Sequence, residues 1–169
     1  METNRIIDFW KSLAELGIYQ QMAKDGTPVQ CVPMNEVFTG EQMKFLQRAF
    51  HPEPKQCFQN CAYLVQLLSH PLGKELGFVA NEIKYVDGFA YEPGMIPIEH
   101  AFVKVGNLYC DPTFETVLNI DVRQCEYVSL LELKWRDLWR VLKKRGFYGP
   151  LYGETQNKRL QGKNKQNNL

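Results

Sequence analysis

The sequence has no surplus of charge of either sign. Twenty Lys and Arg stand against nineteen Asp and Glu, a formal net charge of +1. No global field therefore draws the chain toward nucleic acid or a membrane surface. It lacks long hydrophobic runs: no uninterrupted apolar stretch approaches the roughly twenty residues of a spanning helix. Its first residues lead into an amphipathic stretch carrying Asp8, Lys11 and Glu15, not into the apolar core of a signal peptide. The expectation is a soluble, cytoplasmic protein. Cysteine is sparse and odd in number: Cys31, Cys57, Cys61, Cys110 and Cys125. Five thiols without a secretory signal argue against a disulfide framework and for free cysteines, most of them packing as small apolar groups.

What is present suits one domain. A chain of 169 residues that is 44% apolar can bury a core of ordinary size. Ile6 to Ala23 reads as an amphipathic helix with an interruption suggested at Gly17, and 28–34 as a short extended segment. Thr39 followed by Gln42 has capping-box spacing and opens a helix that ends before Pro52. Pro54 is suited to a first helical position, and the run to about Leu68, with Cys57, Cys61, Leu64 and Val65, predicts a central buried helix. Strand patterns follow around Ile83 to Tyr91, Ile96 to Val105, Leu108 to Cys110 and Val117 to Val128. Ser129 and Glu132 have capping-box spacing for a last helix, whose basic face is Lys134, Arg140, Lys143, Lys144 and Arg145. Residues 154–169 nearly lack apolar side chains and read as a flexible basic tail carrying Lys158, Arg159, Lys163 and Lys165. Residues 1–153 thus form one α+β domain, helices first, then an antiparallel sheet, then a helix.

Three residues stand out chemically. A two-residue loop at Gly106 and Asn107 sets Val105 against Leu108 and Val103 against Cys110. Because strand side chains alternate, His100, Phe102 and Asp111 then share one face, and the opposite face is wholly apolar. His100 and Asp111 become diagonal neighbours, a pairing that orients an imidazole and stabilises its cation. Cys57 supplies a nucleophile in the first turn of its helix, where free amides stabilise a thiolate and can hold an oxyanion. Cys61, one turn deeper, reads as core. Cys57, Cys61 and His100 lack the fourth ligand of a zinc site. Gln56 and Asn60 read as solvated polar neighbours of Cys57, able otherwise to assist the oxyanion or orient a loop. Tyr85 and Tyr91 read as sheet packing, and Gly88 as a bulge or close backbone approach.

Taken as a set, Lys55-Gln-Cys-Phe-Gln-Asn60, Tyr85-Val-Asp-Gly-Phe-Ala90, Pro97-Ile-Glu-His-Ala-Phe102 and Asp111-Pro-Thr-Phe114 resemble small phage and bacterial proteins. The order Cys, His, Asp is similar to transglutaminase-like and papain-like cysteine enzymes. The resemblance covers residues 55 to 114. It implies a papain/transglutaminase-like core with a Cys-bearing helix packed on the sheet, Cys57 as nucleophile, His100 as general base and Asp111 as orienting acid. It implies hydrolysis or transfer of an amide acyl group on a protein or peptide substrate, with no cofactor and no metal. Localisation would be the host cytoplasm if the chain is phage-encoded. Nucleic acid would be touched only weakly, through the basic tail. The competing expectation is an accessory binding or inhibitor protein that uses this scaffold without catalysis.

Overall fold

The computed structural model describes residues 4–13 and 15–153. The tail expected at 154–169 lies outside the described residues. Periodicity gives two short helices at the start, α1 (Arg5–Ser12) and α2 (Gly17–Asp25), where the sequence suggested one; α2 begins at the flagged Gly17. Strand β1 (Thr27–Val29) and helices α3 (Met34–Val37) and α4 (Gly40–Ala49) come next. The capping box forms as expected: Thr39 Oγ1 accepts from Gln42 N, and Gln42 Oε1 accepts from Thr39 N.

The central helix α5 (Cys57–Ser69) starts three residues later than Pro54 suggested. Lys55 sits at φ 62°, a left-handed conformation that cannot lie inside a right-handed helix. Helix α6 (Pro71–Glu75) follows, capped by His70, and then β2 (Ile83–Tyr91), β3 (Ile98–Val105) and β4 (Leu108–Cys110). Helix α7 (Pro112–Thr116) comes next; the strand expected from Val117 instead runs through loop and a 3-10 turn at Val122–Gln124, so β5 (Glu126–Lys134) begins only at Glu126. It also continues past Ser129, and the capping box expected there does not form. Leu131 pairs with Asp87 and Leu133 with Tyr85, while Glu132 accepts from Lys84, Lys104 and Tyr109. Cross-strand partners outweigh the local capping signal, and α8 (Trp135–Arg145) opens without a side-chain cap.

All strand pairs in the sheet are antiparallel, in the order β1-β5-β2-β3-β4. The sheet curls until its edges meet: Cys31, just past β1, bridges Tyr109 on β4, and Val32 N donates to Tyr109 O at 2.9 Å. One face carries Ile83, Tyr85, Ala101, Val103 and Cys110 against Cys61, Leu64, Val65 and Leu68 of α5, with Leu138 of α8 and Leu151. Leu64, Val65 and Leu68 are almost wholly buried, each worth about 2 kcal/mol of transfer free energy. The other face gathers Cys31, Val86, Phe102, Phe114, Cys125 and Tyr127. A third cluster joins Ile6 and Trp10 of α1 to Phe89, Val128 and Tyr152.

Gly88 marks a bulge, as its place in the strand suggested. The β2–β5 register shifts between Asp87 and Gly88, and a Cβ at Gly88 would lie 2.0 Å from Val128 O. After α8, Gly146 turns the chain at φ 79°. The returning segment is then held by Asp87, whose Oδ2 accepts from Leu151 N and Tyr152 N, both at 2.7 Å.

Candidate active site

Cys57 is the first residue of α5 and is half-buried. The segment before it is fixed by Asn60, one turn into the helix. Asn60 Oδ1 accepts from Glu53 N at 3.0 Å, and its amide nitrogen donates to Glu53 O at 2.8 Å and to Thr113 Oγ1 at 3.1 Å. Asn60 is therefore buried, not the solvated residue that position suggested, and it performs the alternative role of orienting a loop. It also ties the approach to Cys57 to the first turn of α7. With Lys55 turned left-handed, the chain enters α5 abruptly. Gln56 at the cap position makes no side-chain bond to the helix. By contrast, Asn4, Thr39, His70 and Asp111 cap their own helices. The first amides of α5 have no intrahelical acceptor and no side-chain cap.

The hairpin register is the expected one, with Val105 opposite Leu108 and Val103 opposite Cys110. It brings His100 of β3 to Asp111, just beyond β4, where the carboxylate also caps α7. Pro112 favours that geometry, since the first helical position needs no amide donor. His100 Nε2 lies 2.7 Å from Asp111 Oδ2, with the side chains 2% and 0% exposed. Asp111 Oδ1 accepts from the amides of Thr113 and Phe114, both at 3.0 Å, and Tyr127 donates its hydroxyl to Oδ2 at 3.1 Å. Four donors thus surround one buried carboxylate. The Phe114 ring covers the imidazole at 4.4 Å between centroids.

Cys57, at the start of α5, lies near enough to the His100 ring to favour its charged form. Asp111 holds Nε2, which leaves Nδ1 for the sulfur. Burial works against a charged ring here, but the charge and hydrogen bond of Asp111, joined by Cys57, outweigh it. They push His100 up from 6.5 to about 10. The arrangement can share a proton between sulfur and imidazole beside uncapped helix amides. Cys61, by contrast, is wholly buried and donates its thiol to Ala101 O at 3.1 Å. Burial raises it well above the ordinary thiol range, in keeping with its reading as core.

Cys57, His100 and Asp111 therefore come together in space. Two further residues were not singled out from the sequence. Tyr127 lies on β5, sixteen residues beyond Asp111, and only its place in an alternating strand could have pointed it inward. Asp87 is buried at 2% exposure, and burial raises its carboxyl from 3.8 to about 7, against the two amides that hold it down. No family model, curated protein or solved structure matches this chain. Among the described residues, no helix is long and apolar enough to cross a membrane.

Proposed function

We propose that this chain is a thiol-dependent acyl-transfer enzyme with a transglutaminase-like or papain-like core, acting on an amide of a protein or peptide. The observation that carries the reading is the buried His100–Asp111 pair, held at 2.7 Å, with Cys57 beside it at the uncapped start of α5. His100 Nδ1 takes the Cys57 proton, and the thiolate adds to the amide carbonyl carbon. The resulting oxyanion is received by the uncapped first-turn amides of α5. The imidazolium returns the proton to the departing amine as the C–N bond breaks, leaving a thioester on Cys57. Water, or an acceptor amine, gives up a proton to His100 and releases the acyl group. Asp111 keeps the ring oriented throughout. These steps draw only on side chains and amides of the chain.

Competitive alkylation with iodoacetamide at neutral pH tests the reading. Cys57 should be modified far faster than Cys31, Cys61, Cys110 and Cys125, all of them buried. Peptide and protein amides treated with wild type should show mass losses or ammonia release that Cys57→Ala does not produce. Equal, slow alkylation of all five cysteines would remove the enzyme reading. It would favour the second one, a binding protein, for which one surface speaks: Trp139 is half exposed on α8 among Arg136, Arg140, Lys143 and Lys144.

A further inference from the structure

We propose that Tyr127 is a positioning residue of this site, tuning the basicity of His100 through the Asp111 oxygen that both groups share. The proposal deepens the acyl-transfer reading and rests on it for its meaning in catalysis. Tyr127 is fully buried, and its ring packs edge-on against Phe102 at 5.2 Å and beside Phe114 at 6.4 Å. Its hydroxyl reaches Asp111 Oδ2 at 3.1 Å, while His100 Nε2 reaches the same atom at 2.7 Å. A carboxylate only accepts, so the single phenolic proton must point at Asp111. Cys31 and Cys125 lie in the same core cluster, and the Cys125 thiol is turned to Asp121 O at 3.9 Å. The phenol and the imidazole thus meet on one carboxylate oxygen. Burial and the charge of Asp111 drive the phenol far above its usual range, so it remains a donor at every working pH.

The sign of the coupling follows from the shared oxygen. A hydrogen bond to a carboxylate is strongest when no cation already neutralises that carboxylate. The Tyr127 bond is therefore worth more beside neutral His100 than beside the imidazolium. By reciprocity it favours the neutral ring and lowers the pH at which His100 loses its proton. Without it, Asp111 would hold the imidazolium more tightly, and the ring would give up its proton to the departing amine less readily. The titratable groups around the network are Cys57 and Cys61 from α5, Cys31, Cys110, Cys125 and Glu115. None of these makes a hydrogen bond to the Asp111 carboxylate, as Tyr127 does.

The test is a heteronuclear NMR titration of the His100 ring in wild type, Tyr127→Phe and a protein carrying 3-fluorotyrosine at position 127. Phenylalanine keeps the packing and removes the donor, so the His100 midpoint should rise by roughly half to one pH unit. Fluorination strengthens the donor without changing the fold, so the midpoint should move the opposite way. If Tyr127→Phe fails to fold, the fluorinated protein alone decides. Midpoints that stay put, or move in the same direction in both proteins, would overturn the proposal, even with melting temperatures altered by a merely structural role. Repeating the series in Cys57→Ala separates the two questions. Unselective alkylation of Cys57 would defeat the acyl-transfer reading and leave these midpoints to judge Tyr127 independently.

Discussion

Replacing Asp87 by Asn should make the protein's stability less dependent on pH, by an amount the structure sets. Asp87 is 2% exposed, and burial raises its carboxyl from 3.8 to about 7, with Glu99 adding to the rise and the amides of Leu151 and Tyr152 and the charge of Arg145 opposing it. The folded state thus holds the proton more tightly than the unfolded chain. Between those two values the unfolded state binds fewer protons, so stability must fall as pH rises from about 4 to about 7. From about pH 4.5 to about pH 8 the loss is about 3 kcal/mol, at 1.36 kcal/mol per pH unit. The carboxamide of Asp87→Asn would still offer an oxygen to the two amides but has no proton to lose in this range. The stability difference between Asp87→Asn and wild type should therefore move in the variant's favour by about 3 kcal/mol across that interval. The intrinsic cost of the substitution, including an unpaired amide where Asp87 Oδ1 has no partner, cancels in the comparison. Urea unfolding followed by circular dichroism at several pH values measures it. A difference that stays flat with pH would refute the argument.

Other expectations test other parts of the structure. Gly88→Ala should lower stability by about 2–3 kcal/mol, read as a shifted urea midpoint, because its methyl group would meet Val128 O at 2.0 Å. Asn60→Ala removes three hydrogen bonds; it should cost about 2–3 kcal/mol and slow alkylation of Cys57 relative to the other thiols. Asp111→Asn keeps an oxygen for the Thr113 and Phe114 amides but removes the charge beside His100. Burial then dominates, and His100 should titrate below 6.5 instead of at about 10. In wild type the raised His100 value contributes stability that is complete below about pH 6.5 and is lost as pH climbs through about 10. The Asp111→Asn deficit, about 3–5 kcal/mol near pH 6, should accordingly shrink in alkaline solution. Denaturant melts at both ends of that range would show it.

The sequence displayed best those features that are local or follow from one loop. The Thr39 and Gln42 box needs only four residues, and it forms. The His100 and Asp111 pairing needs one loop length at Gly106 and Asn107, after which strand alternation determines the rest. Features set by distant partners were hidden. Ser129 and Glu132 carry an equally good local capping signal, yet Lys84, Lys104 and Tyr109 claim Glu132 from three different places in the chain. A capping bond is worth about 1 kcal/mol, and a full set of ladder bonds with Leu131 and Leu133 packed against the core is worth more. Asn60 was misjudged for the same reason, since nothing near it in sequence announces Thr113 as its partner.

That asymmetry bears on how the site is built. Its parts come from α5, β3, the start of α7 and β5, and the bonds joining them span from 11 to 53 residues of sequence. Each joining side chain also serves the fold: Asp111 caps a helix, Asn60 ties the segment before α5 to α7, and Tyr127 fills a core cluster. A substitution at any of them disturbs packing and proton affinity together, so loss of activity alone would not show which role had failed. The distinction lies in direction. A packing defect lowers stability at every pH, whereas loss of a proton partner moves a titration by a sign that can be worked out beforehand. For Asp111 the sign is downward at His100 and for Tyr127 it is upward, although both side chains bind the same network. Opposite movements from two neighbours on one oxygen could not come from loosened packing.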